Sequence, residues 1–126
     1  MKKTLFLTLA LCFAATFAVR AGIPRPEYPR PQFERAEWIN LNGPWTYTFD
    51  FAGSGVERGY NLSEGFDSRI TVPFCPESEM SGVFDRDFHK NVFYRKSFDL
   101  PASMSGKRLL LHFGAVDFEA KVYVNG

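Results

Sequence analysis

The chain has 126 residues, with 15 basic and 14 acidic side chains and a formal net charge of +1. That balance, with no cluster of basic residues, argues against a nucleic-acid surface. Fourteen Phe, five Tyr and two Trp bring the aromatic share to 17%; rings at this density suit β-sheet surfaces and large cores first, and sugar-stacking faces second.

Met1-Lys2-Lys3 is a basic start, and Thr4 to Val19 is an uncharged, mostly apolar run ending before Ala21. This pattern predicts a secretory signal over residues 1–21, cleaved after Ala21. The run is shorter than the roughly 18–20 apolar residues that a membrane span needs. Cys12 follows Leu11, and lacks the small preceding residue of a lipoprotein signal. Cleavage would leave about 105 residues, enough for one small domain. It would also remove Lys2, Lys3 and Arg20, taking the formal charge from +1 to −2. The predicted location is secreted or periplasmic, with no membrane attachment after cleavage. Only Cys75 remains in the mature chain. It cannot form an internal disulfide and is expected to be a small buried residue.

Residues 22–36 contain Pro24, Pro26, Pro29 and Pro31, which predicts an extended, polyproline-like arm. Leu41-Asn42-Gly43 reads as a turn. Trp45 to Phe51 alternates: Trp45, Tyr47, Phe49 and Phe51 on one face, Thr46, Thr48 and Asp50 on the other. That period predicts a half-buried strand with an aromatic inner face. Residues 52–67 hold four glycines and predict a loop with room for a short helical turn; Asn61-Leu62-Ser63 within it fits a glycosylation sequon.

Arg69 to Val72 predicts a short strand ending at Pro73, and residues 75–91 a second long loop. Residues 92–100 predict a strand with Val92, Tyr94, Phe98 and Leu100 on one face, interrupted by Lys96 near an edge. Residues 107–113 and 118–124 predict two more strands, with Leu109, Leu111 and Phe113, then Phe118, Ala120, Val122 and Val124, turned inward. Asn125-Gly126 is a strong hairpin-turn signal without a returning strand. Five short strands separated by loop signals predict an all-β fold, an antiparallel β-sandwich incomplete at its C-terminus.

Few residues carry a chemical signature. The loop of residues 75–91 offers Glu77, Glu79, Asp85 and Asp87, but loop spacing does not fix the geometry that a carboxylate pair needs for glycoside hydrolysis. Asp85-Arg86-Asp87 lacks the ligand spacing of a calcium loop. His89 and His112 form no zinc pattern with a cysteine. There is no Gly-x-Ser-x-Gly elbow and no phosphate-binding glycine motif. No cofactor or metal is implied.

Four stretches taken in order resemble the N-terminal domain of glycoside hydrolase family 2, the β-galactosidase and β-glucuronidase-like enzymes. They are Leu41-Asn42-Gly43-Pro44-Trp45; Ile70 to Ser78 followed by Ser81-Gly82-Val83; Val92 to Phe98; and Leu109 to Gly126. The resemblance covers residues 37–126. It implies a jelly-roll, galactose-binding-like sugar-binding domain whose partners are a carbohydrate substrate and downstream immunoglobulin-like and barrel domains. It also implies a retaining mechanism run by two barrel glutamates. The acid/base glutamate of the family follows an asparagine, and this chain has no Asn-Glu pair, so no catalytic residue carries over. The family's loop after the Val-Pro strand borders the active-site mouth, which makes Glu79, Asp85, Asp87 and His89 the candidate sugar contacts of this chain. The alternative to a non-catalytic part of a hydrolase is a free-standing carbohydrate-binding module or a structural sandwich.

Overall fold

The computed structural model describes residues 22–126; the predicted signal lies outside the described residues. Three strands form one antiparallel sheet: β1 (Gly43–Phe49), β2 (Ser68–Val72) and β3 (Val92–Arg95), in the order β2-β1-β3. The remaining regular structure among the described residues is four single 3-10 turns, at Pro31–Phe33, Tyr60–Leu62, Glu79–Ser81 and Ala102–Met104. The described chain is therefore β-rich strand and coil. Among the described residues no helix is long and apolar enough to cross a membrane.

The register follows the alternation of β1. Trp45 lies opposite Ile70, Tyr47 opposite both Ser68 and Tyr94, and Phe49 opposite Val92. Cross-strand partners share a face, so these residues make one aromatic–aliphatic side of the sheet. Ile70, 2% exposed, and Tyr47, 8% exposed, are its buried hydrophobic residues. Pro44 with Thr71, Thr46 with Arg69 and Arg95, and Thr48 with Phe93 make the other side.

The proline arm is anchored at two points. Asn40 Nδ2 donates to the Arg25 carbonyl and Asn42 Nδ2 to the Pro24 carbonyl, while the rings of Tyr28 and Trp38 meet edge to face. Gly43 opens β1 in the left-handed region, with φ of 100°, as the turn ahead of it requires. Trp45 is pinned by its indole N–H, which donates to the Leu41 carbonyl at 2.7 Å.

Several segments depart from what their sequence pattern predicts. Residues 107–113 and 118–124 form no ladder and are exposed along their length. Two strands with only each other for partners are marginal in water, and neither of these docks on an edge of the sheet. Residues 92–100 pair only as far as Arg95. Phe51 follows the end of β1 in a turn and is 79% exposed, whereas Asp50, expected on the solvent side, is 3% exposed. The burial of Asp50 has a local cause: its carboxylate accepts from the backbone N–H of Ser54 at 3.3 Å and of Gly55 at 2.8 Å, closing the turn after β1. A side chain at Gly55 would put Cβ only 2.3 Å from the Phe93 ring, so the turn and β3 approach too closely for anything but glycine. Cys75 is exposed rather than buried, because the backbone turns away from the sheet after Val72.

Candidate functional site

The loop between β2 and β3 is organised by one buried hydroxyl. Ser81 is 1% exposed; its Oγ donates to the Ser78 carbonyl at 2.6 Å and accepts from the Val83 N–H at 3.0 Å. Ser78 caps the turn Glu79–Ser81, its side chain accepting from the Met80 N–H. Gly82 ends that turn at φ 79°. The Asp85 N–H then returns to the Pro76 carbonyl at 3.0 Å, which closes the loop and brings the following residues back toward the sheet.

That return places His89 on the aromatic face. Its ring stacks on Phe49 with centroids 3.6 Å apart and meets Phe51 edge-on at 5.5 Å. Asp85 Oδ2 lies 2.9 Å from His89 Nε2. The approach is off the N–H axis, so the contact is electrostatic proximity rather than a linear hydrogen bond, and neither ring nitrogen has an aligned partner. The other carboxylate oxygen, Asp85 Oδ1, accepts from the Asp87 N–H at 2.9 Å. This backbone bond, ahead of the effect of the nearby His89 ring, holds the Asp85 carboxyl below its ordinary pKa despite some desolvation.

Of the four candidate contacts, the structure brings Asp85 and His89 together and leaves Glu79 and Asp87 apart from them. Glu79 starts the 3-10 turn and is exposed; the Asp87 side chain is also exposed. Two residues not singled out from the sequence complete the face. Desolvation pushes the Tyr94 hydroxyl up to about 12, helped electrostatically by the nearby Glu77, Cys75 and Tyr47 side chains. Desolvation, then the charge of Asp85, raises Tyr47 as well, against a lowering contact with Ser68. The period-two alternation pointed to Tyr47 and Tyr94 as inward residues. What it could not show is that the loop would bring its acids back over them.

The surface so formed is a half-open patch of rings (Phe49, Phe51, Tyr94, His89) edged by carboxylates (Asp85, Glu77). Aromatic faces with hydrogen-bond acceptors at their rim suit a sugar, whose C–H face stacks and whose hydroxyls donate. No group of side chains able to hold a metal ion occurs among the described residues. No family model matches the chain.

Proposed function

We propose that the chain is the N-terminal, non-catalytic part of a secreted or periplasmic glycoside hydrolase of family 2, a retaining exo-glycosidase of β-galactosidase type. In this reading the three-stranded sheet belongs to a jelly-roll sugar-binding domain, and the patch around His89 and Asp85 faces the substrate. The catalytic glutamate pair then belongs to a barrel outside these 126 residues, and the immunoglobulin-like and barrel domains are the chain's partners in the whole enzyme.

One observation carries the proposal. Three of the four family-like stretches, separated by long loops in sequence, supply adjacent strands: β1 from the first, β2 with its serine-organised loop from the second, and β3 from the third. Their order in the sheet gives the loop after Val72-Pro73 a defined aromatic floor, as a loop bordering a sugar site needs.

A second reading, a free-standing carbohydrate-binding module, is favoured by the exposure of Phe51 and Phe88, at 79% and 90%, since exposed rings are what such modules offer to sugars. Sequencing the gene past codon 126 separates the two. An open frame that encodes a barrel with an Asn-Glu pair supports the hydrolase, and an immediate stop codon contradicts it. The chain alone should not cleave an aryl β-galactoside; turnover by the purified chain would overturn its non-catalytic role.

A further inference from the structure

The opposite side of the sheet carries a feature that the sugar reading does not use. Arg69 on β2 and Arg95 on β3 both lie opposite Thr46 on β1. Three residues in one cross-strand row point to the same face, so two arginines flank one threonine at two strand spacings, about 10 Å. Lys96 follows Arg95, and with Glu64 these residues line a shallow pocket of about 210 Å³.

The charges in this pocket do not cancel. Arg69, Arg95 and Lys96 stand against the single carboxylate of Glu64, and among the described residues none of the three cations has a carboxylate within 4.0 Å. Arg95 Nε is closed off from solvent and has no acceptor, so the donors left for an incoming anion are the two terminal NH2 groups of that guanidinium. The neighbouring polar groups are engaged elsewhere. The Thr46 hydroxyl accepts from the Phe66 N–H at 3.2 Å and faces the Arg95 carbonyl at 3.5 Å. Lys96 Nζ donates to the Pro44 carbonyl at 2.8 Å and keeps further N–H donors for another partner.

We propose that this pocket binds a small oxyanion, a sulfate or a carboxylate group, between the guanidinium groups of Arg69 and Arg95 with Lys96 at the side. Guanidinium groups are suited to both because their paired N–H donors match two oxygens of one anion. Glu64 sits at the rim as the one opposing charge, so it limits affinity. The pocket follows from the register of the sheet and is independent of the sugar proposal, whose patch lies on the other face.

The test is an amide NMR titration of the full chain with sodium sulfate, and separately with sodium acetate, each against sodium chloride at equal ionic strength. The expected result is a saturable shift of the Arg69, Thr46 and Arg95 amides with one or both oxyanions and only a small, linear change with chloride. Saturation by sulfate assigns a sulfate group, and saturation by acetate a carboxylate. Arg69→Gln, at an exposed position, should weaken binding about tenfold or more, and Glu64→Gln should strengthen it a few-fold. Linear shifts equal to those of chloride, or unchanged affinity in Arg69→Gln, would overturn the assignment.

Discussion

Strand β1 and the segment of residues 109–124, where the sequence pattern predicts strands over 107–113 and 118–124, carry period-two apolar side chains, yet β1 is paired on both sides and the segment on neither. In β1 the alternation meets partners in register: Ile70 and Ser68 on one side, Tyr94 and Val92 on the other. In the segment, Leu109, Leu111, Phe113 and Val122 each remain about half exposed, and Phe118 is 92% exposed. Alternation therefore gives a strand its two faces but not its partners. Apolar area stabilises only once something covers it, and the first region is covered by neighbouring strands and by a loop closed on Ser81.

The sharpest way to break this contrast is to remove the covered side. Ile70→Ala should cost about 2–5 kcal/mol, the range for truncating a buried aliphatic side chain, measured by urea unfolding of the full chain. In a core this small that loss should abolish the cooperative transition, and a transition left intact would place the stabilising contacts elsewhere. Gly55→Ala comes next. Its Cβ would collide with the Phe93 ring, which Tyr60 holds edge-on, so a loss of about 1–3 kcal/mol is expected from overpacking. A neutral result would show that the turn after β1 is loose.

The aromatic face should also respond to alkaline pH. Tyr94 is 41% exposed, yet desolvation pushes its hydroxyl up to about 12 in the folded chain, whereas a free tyrosine releases its proton near 10. Between those values the unfolded state has lost a proton that the folded state retains. Stability is then full below pH 10 and falls as pH rises toward 12. Tyr94→Phe should flatten that fall in unfolding curves taken across the interval; the same slope in the variant would contradict the desolvated Tyr94 hydroxyl as its cause. The smallest effect belongs to the uncovered segment. Val122→Thr should change stability by no more than about 0.5 kcal/mol, and a loss above 1 kcal/mol would mean that the segment is packed.

Strand β1, the short strand up to Val72 and the loops around them were legible in the sequence, because alternation, proline and glycine act locally. The fate of Asp50 was not, since its burial comes from backbone N–H groups that the following turn brings to it. The exposure of Cys75 is likewise not a local property: its apolar neighbours suggest burial, but the chain direction after Val72 decides its exposure. At the candidate site, the loop was identified but its interior order was not. Asp85 and His89 meet because Ser81 and the Asp85-to-Pro76 hydrogen bond turn the loop back, and Glu79 stays outside because it precedes that turn. The Arg69–Thr46–Arg95 row exists only once the register of three strands is known.

The most direct test of the sugar proposal is an amide NMR titration of the full chain with galactose. The account predicts saturable shifts concentrated at Asp85, His89 and the Phe49–Phe51 strand end, weakened by His89→Ala, with residues 109–124 unmoved. No saturable shift at any position, or shifts confined to residues 109–124, would contradict it.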